Sequence, residues 1–157
     1  MPRQRLRLRL NLAVIVVALV ATAIDAATKA WARHGLAHHD VHVFGALWLR
    51  LRYNSGVSFS INSSGPLVTT IATLVIAIIV VGVGLNANRG LATIGFGLLI
   101  GGGVANVIDR LAATPHEVTD FIAVSSFPVF NLADVAITLG FVILMVAAVR
   151  GDRLIAR

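Results

Sequence analysis

Four long apolar stretches constrain the fold of this chain more than any other feature of its sequence. They run over about residues 10–31, 67–85, 91–108 and 132–149. A helix needs about 20 apolar residues to cross the hydrocarbon core of a bilayer, where its backbone groups must be satisfied internally. The pattern therefore predicts an all-α membrane protein, a bundle of four transmembrane helices.

The composition supports this assignment. Charged residues make up 13% of the 157 residues and hydrophobic residues 57%, whereas soluble domains carry about a quarter charged residues. The chain has no cysteine, which excludes a disulfide framework, a thiolate metal site and a cysteine nucleophile. We expect one membrane-embedded domain over residues 1–157.

The basic residues predict the orientation in the membrane. They flank the apolar stretches at the N-terminus, in the turn at 86–89 and at the C-terminus: Arg3, Arg5, Arg7, Arg9, Arg89, Arg150, Arg153 and Arg157. With four spans these regions share one side, and the positive-inside rule makes that side cytoplasmic. The net charge of +6 therefore indicates topology rather than nucleic-acid binding, and both termini are expected in the cytoplasm.

The first apolar stretch has a second interpretation. Four arginines, an apolar run and Ala21-Thr22-Ala23 also match a cleavable signal peptide. Against this, the segment stays compatible with a helix through Trp31, and cleavage would leave three spans. The residues alone leave both interpretations open.

A small β element is expected outside the membrane, over about residues 41–61. Apolar and polar residues alternate over Leu47–Tyr53 and again over Val57–Ile61, on either side of Asn54-Ser55-Gly56. Alternation with period two around a turn sequence predicts a β-hairpin. The third apolar stretch is rich in glycine, at 95, 97, 101, 102 and 103, which predicts close helix packing.

Four of the seven acidic residues lie at or near the predicted outer end of a helix or in the adjoining outer loop. They are Asp25, Asp109 and Asp134 at helix ends and Asp120 in the loop between the last two helices. Ionisable residues at membrane depth are costly and indicate function. Structural interpretations also exist. Asp25 has the spacing for an ion pair with Lys29 at an exposed helix end, and Asp134 follows a possible N-cap, Asn131. The coincidence of four carboxylates on one rim favours chemistry.

Elimination leaves paired carboxylates. The sequence contains no G-x-S-x-G elbow and no P-loop. The histidines are expected in loops, without the spacing of a helical metal site, so we expect no metal and no cofactor: His34, His38, His39, His42 and His116. Two carboxyl groups sharing a proton can act as base and acid toward a water molecule. The alternatives are a proton-coupled transporter, whose carboxylates would lie near the midplane, and a structural subunit.

Five motifs then carry a family resemblance, in order along nearly the whole chain. Residues 25–29 are similar to D-Q-x-T-K, residues 53–60 to R-N-x-G-A-A-F-S, and residues 102–110 to G-G-A-x-G-N-x-x-D-R. Residues 118–122 are similar to V-x-D-F-I, and residues 127–137 to F-P-x-F-N-x-A-D-x-x-I. The chain resembles the lipoprotein signal peptidases (signal peptidase II), four-span membrane aspartic peptidases. It departs from the family pattern at Ala26, Ala105, Tyr53 and Val57-Ser58.

The resemblance implies a site and an activity. The catalytic pair would be Asp120 and Asp134. The supporting residues would be Asp25, Lys29, Asn54, Gly56, Asn106, Asp109, Arg110 and Asn131. The enzyme would remove signal peptides from bacterial prolipoproteins, cutting before the diacylglyceryl-modified cysteine at the extracytoplasmic face of the cell membrane. Its partners would be these substrates and membrane lipids, with no nucleic acid. The first stretch would be retained.

Overall fold

Four helices and a three-stranded sheet make up the part of the chain that the structure, a computed structural model, describes: residues 11–55, 65–113 and 116–156. In chain order these elements are α1 (Leu12–Gly35), β1 (Val41–Phe44), β2 (Leu47–Asn54), α2 (Gly65–Gly84), α3 (Leu91–Ala112), β3 (Val118–Val124) and α4 (Leu132–Val149).

The helices α1, α3 and α4 are long and apolar enough to cross a membrane. Within the described part of the chain, α2 contributes a shorter apolar helix, Thr70–Gly84. Large apolar side chains on α1 and α4, such as Leu19 and Phe141, point away from the protein. That is the surface expected of helices surrounded by lipid. The molecule is therefore a mostly helical, multi-pass membrane protein with a small sheet.

Helix α3 packs between α1 and α4, and its glycines allow the close approach. A Cβ atom added at Gly101 would lie 2.6 Å from the carbonyl oxygen of Ala18 in α1. One added at Gly95 would lie 2.7 Å from Cγ of Leu144 in α4, and Gly97 and Gly102 are equally confined. Gly103 faces open space within the described residues, so the predicted close packing holds for the other four glycines.

The sheet has the antiparallel order β1-β2-β3. Its hairpin joins β1 to β2 through Gly45, whose φ of +51° suits a tight turn. The alternation over residues 47–53 did mark a strand. The second predicted strand, 57–61, and Gly56 lie outside the described residues.

Strand β3 was not predicted from the sequence, where Asp120 was expected in a loop. It pairs with β2 in a register that sets Asp120 opposite Arg52 and Thr119 opposite Tyr53. Its apolar residues do not alternate with polar ones, because most of the strand is buried on both faces. Alternation of polar and apolar residues is the signal of a half-buried strand. Strand β3 lacks that pattern and could not be predicted from it.

Helix α1 continues to Gly35, four residues beyond the expected end. Ala32 and Leu36 are buried against Phe121 of β3, and this packing supports the additional turn. His34, which was expected in a loop, consequently lies in α1. His42, also expected in a loop, lies in β1. Asp25 lies well inside α1 rather than at its end.

Candidate active site

Helix α4 begins with a capping box. The side chain of Asn131 accepts a hydrogen bond from the backbone N–H of Asp134 at 2.9 Å. In return, Oδ2 of Asp134 accepts from the backbone N–H of Asn131 at 3.2 Å. The N-cap role expected for Asn131 is confirmed, and the box fixes the carboxylate of Asp134 at the first turn of the helix.

Asp120 reaches the same place from β3. Nδ2 of Asn131 donates to Asp120 Oδ1 at 2.6 Å, and Nδ2 of Asn54, the last residue of β2, donates to Asp120 Oδ2 at 3.0 Å. Phe130, just before α4, exchanges backbone hydrogen bonds with Ile122 of β3. This pairing brings the start of α4 alongside the strand that carries Asp120.

Asn106 of α3 completes the connection between the two carboxylates. Its Nδ2 donates to Asp134 Oδ1 at 2.9 Å, while its Oδ1 accepts from Asn131 Nδ2 at 3.2 Å. Its Oδ1 also accepts from Nζ of Lys29 at 2.8 Å. Two asparagine amides therefore link Asp120 to Asp134, and Lys29 lies directly behind them.

Lys29 is the centre of a second group of charges. Its Nζ lies 2.7 Å from Oδ2 of Asp25 and 3.4 Å from Oδ2 of Asp109. The predicted ion pair between Asp25 and Lys29 is confirmed, but its expected exposure is wrong, because both side chains are only 1% exposed. Buried ion pairs are much costlier to break than exposed ones.

Asp25 also caps a helix other than its own. Its Oδ1 accepts from the backbone N–H of Ala133, in the first turn of α4, at 2.7 Å. A carboxylate there satisfies a donor that has no partner within the helix and interacts favourably with the helix dipole. Asp25 thus ties α1 to the turn that carries Asp134.

Asp109 is held from three sides. Besides the contact with Lys29, Oδ1 of Asp109 lies 2.5 Å from Nη2 of Arg33. Oδ2 of Asp109 accepts a hydrogen bond from the backbone N–H of Thr119 at 2.7 Å. Sequence reasoning missed both Arg33 and Thr119 as site residues. The spacing of Asp25, Lys29 and Arg33, each four residues apart on one helix face, was the signal available for Arg33.

Arg110 is buried beside this network. Among the described residues its Nε has no hydrogen-bond partner, and its charge interacts with Asp109, Asp120 and Asp134. Of the ten sequence-predicted site residues, Gly56 lies outside the described part of the chain. The structure brings the other nine together at one end of the bundle.

The electrostatics of Asp120 are unusual for a carboxylate. Burial raises its pKa from the ordinary 3.8 to about 6, and the neighbouring charge of Asp134 acts in the same direction. Hydrogen bonds from Asn54 and Asn131 and the charge of Lys29 oppose the rise in pKa. A carboxyl group with such a pKa can exchange protons near neutral pH.

The site is accessible on one side. A cavity of about 240 Å³ is lined by Asp120, by residues 52–55 at the end of β2 and by Pro128 and Val129. Within the described ranges, no cluster of three or more His, Cys, Asp or Glu has the arrangement of a metal site. The arrangement offers two linked carboxyl groups, one of which, Asp120, lines an open cavity. This suits general acid–base chemistry on a water molecule.

Comparisons with known proteins agree with this chemistry. A family model described as signal peptidase (SPase) II matches residues 17–150. The lipoprotein signal peptidase of Rhodopseudomonas palustris is 38% identical over 146 residues, which cover 83% of this chain and 88% of the relative. That of Mycobacterium leprae is 31% identical over 161 residues, covering 96% of this chain and 76% of the relative.

The fold has a counterpart among solved structures. A bacterial membrane enzyme determined by the in meso method at 2.3 Å resolution superposes with a TM-score of 0.75 at 26% identity, covering 87% of both chains. The family match extends from within α1 to the end of α4 and includes the whole carboxylate site. This chain therefore belongs to the signal peptidase II family, the membrane proteases of the aspartic type that cleave signal peptides from prolipoproteins.

Proposed function

We propose that Asp120 and Asp134 are the catalytic pair of this peptidase. The observation that carries the proposal is the linkage between the two carboxylates. The amide of Asn131 donates to Asp120 and that of Asn106 donates to Asp134, and the two amides are hydrogen-bonded to each other. The raised pKa of Asp120 supports a proton shared within the pair.

In the proposed reaction, one carboxyl group is ionised and the other protonated. The ionised group removes a proton from a water molecule, whose oxygen attacks the carbonyl carbon of the scissile peptide bond. The protonated group donates to the carbonyl oxygen, which gives a tetrahedral intermediate. Collapse of the intermediate breaks the C–N bond, and the amine leaves with a proton returned by the pair.

The other polar residues would act through this pair. Asn106 and Asn131 orient the two carboxylates, and Asn54 fixes Asp120 from the sheet. Asp25, Lys29 and Asp109 brace the helices around it, together with Arg110. Gly56, which lies outside the described residues, is proposed as a further supporting residue.

The proposed substrate is a prolipoprotein whose cysteine carries a diacylglyceryl group, with the cut just before that cysteine. Such a substrate is held at the membrane surface twice, by its signal helix and by its lipid chains. A catalytic pair formed by strand β3 and the first turn of α4, with Asp120 lining an open cavity, would meet a peptide bond at that depth.

The proposed topology has four spans, with α2 counted, in one domain over residues 1–157. Both termini would lie in the cytoplasm of a bacterium, and the carboxylate site at the outer face of its cell membrane. In support, the end of the bundle opposite the site joins the segments that carry Arg89 and Arg153. Backbone hydrogen bonds run there from Asn88 to Leu154 and from Asn11 to Leu85.

The decisive experiment compares two forms of one substrate. The purified peptidase is incubated with a prolipoprotein whose cysteine is diacylglyceryl-modified and, separately, with the same prolipoprotein lacking the modification. We expect cleavage of the modified form alone, with the cysteine as the new N-terminal residue by mass spectrometry. Equal cleavage of both forms would overturn the proposed lipid requirement, and a new N-terminus elsewhere would overturn the proposed cut.

A further inference from the structure

We propose that Arg33 is a positioning residue for the catalytic carboxylate of Asp120, an inference that rests on the proposed function of the pair. Arg33 lies on α1, one helical turn after Lys29, and touches neither Asp120 nor Asp134 in the contacts described. Its guanidinium instead joins two other groups: Nη2 lies 2.5 Å from Asp109 Oδ1, and Nε donates to Oγ1 of Thr119 at 3.0 Å.

Thr119 is the residue through which Arg33 acts. All three of its polar groups are engaged by different helices. Its hydroxyl accepts from Arg33 of α1, its N–H donates to Asp109 of α3, and its C=O accepts from Asn131, the N-cap of α4, at 3.4 Å. The next residue is Asp120, so the position of this peptide unit sets where that carboxylate points.

The geometry requires an arginine. A guanidinium presents several N–H donors in a rigid plane, so one side chain can bond a carboxylate and a hydroxyl at the same time. Lys29 cannot substitute, because its ammonium group already contacts Asp25, Asn106 and Asp109. Arg33 reaches the Asp109 oxygen that Lys29 leaves free.

The simpler interpretation is a surface ion pair, since the Arg33 side chain is 42% exposed. An ordinary surface ion pair contributes little to the stability of a protein. This one differs because its partners, Asp109 and Thr119, are both buried and lead directly to the reacting group. The two interpretations predict different effects of the same substitution, which makes the proposal testable.

The first experiment compares Arg33→Gln with a matched control, Arg50→Gln. Arg50 has similar exposure, 36%, and a similar pair with Asp40 at 3.0 Å. It belongs to the sheet and, in the contacts that the structure describes, reaches none of Asp109, Asp120 and Asp134. We expect Arg33→Gln to lower kcat about tenfold with little change in KM, since small errors of placement cost rate rather than binding. Arg50→Gln is expected to leave both unchanged.

Arg33→Lys separates charge from geometry. It retains a positive charge beside Asp109 but cannot also bond the hydroxyl of Thr119. We expect its melting temperature in detergent to match the wild type while kcat stays several-fold low. Full recovery of kcat by lysine would overturn the positioning role, because charge alone would then account for the effect.

Thr119→Val tests the connection itself, since valine keeps the shape and the backbone N–H and removes only the hydroxyl. We expect the double variant with Arg33→Gln to be no slower than the slower single variant, as for two residues in one chain of contacts. Multiplying losses, or a kcat for Arg33→Gln equal to that of Arg50→Gln, would reject the proposal. If Asp120→Asn itself still cleaved, the catalytic pair would be wrong, a result distinct from either of these.

Discussion

Two pairs of carboxylates lie at the same end of the bundle and meet different partners. Asp25 and Asp109 both contact the ammonium group of Lys29, and Asp109 also contacts Arg33. Each of the two carboxylates accepts a hydrogen bond from a backbone N–H as well. The other pair, Asp120 and Asp134, accepts hydrogen bonds only from the side chains of Asn54, Asn106 and Asn131 and from one backbone N–H, among the contacts that the structure describes.

The difference follows from the cost of burying charge. An ionised carboxylate in a low-dielectric environment needs a compensating charge or a proton. In the first pair each carboxylate forms an ion pair, Asp25 with Lys29 and Asp109 with Arg33, so the charges compensate one another within this brace. No cation forms an ion pair with the second pair in the described residues, although the charges of Arg110 and Lys29 act on it. A proton shared between the two carboxyl groups is therefore a further means of neutralisation. A brace and a reactive pair are thus distinguished by their partners, with Asn106 touching both.

The largest effect should come from the second pair. Asp120→Asn and Asp134→Asn keep the shape of the side chain but cannot accept a proton from water. We expect each to lower single-turnover cleavage by roughly 10²–10⁴-fold, the contribution of a positioned acid or base. Expression and substrate binding should be retained, as checked by melting in detergent and a binding assay.

The double variant sharpens this test. Because the two groups act as one unit, Asp120→Asn with Asp134→Asn should be hardly slower than either single variant. Losses that multiply would show independent roles. Near-normal cleavage by either folded single variant would show that Asp120 and Asp134 are not the reactive pair, and the distinction from the brace would then fail.

The brace should respond in stability first. Asp25→Asn leaves the buried ammonium of Lys29 with one less anion, and breaking a buried pair from one side costs about 3–5 kcal/mol. We expect a lower melting temperature with cleavage partly retained in the molecules that remain folded.

The double variant Asp25→Asn with Lys29→Met is the control for charge imbalance. It should recover part of the lost stability, since no unpaired ammonium remains. Complete loss of turnover in a folded Asp25→Asn protein would assign Asp25 to the chemistry and break the comparison.

The smallest expected effect is on the pH dependence of stability. A carboxyl group whose pKa is raised from 3.8 to about 6 on folding binds its proton more tightly in the folded state. It therefore favours folding at low pH, and that contribution is lost as pH rises from about 4 through about 6. The loss is at most about 3 kcal/mol for a shift of this size.

Melting curves between pH 4 and pH 7.5 measure this contribution. The wild type should lose stability relative to Asp120→Asn over the interval, because the variant has no group to titrate at that position. A constant difference between the two proteins across the interval would show that the environment of Asp120 does not raise its pKa.

The sequence by itself predicted much of this molecule. Long apolar stretches dictate helices in a membrane, and the observed α4 begins and ends where its apolar run does. The pairing of Asp25 with Lys29 and the capping by Asn131 are local, within four residues, so spacing alone revealed them. The motifs also marked Asp120 and Asp134 as partners, through family resemblance rather than geometry.

Only the tertiary structure decided how those residues are used. The bond from Asn54 to Asp120 joins residues 66 apart, that from Arg33 to Thr119 residues 86 apart, and that from Asp25 to the N–H of Ala133 residues 108 apart. No local pattern encodes such contacts. Burial is also a tertiary property: the sequence placed the Asp25–Lys29 pair at an exposed end and Asp120 in a loop, because the elements that cover them come from distant parts of the chain.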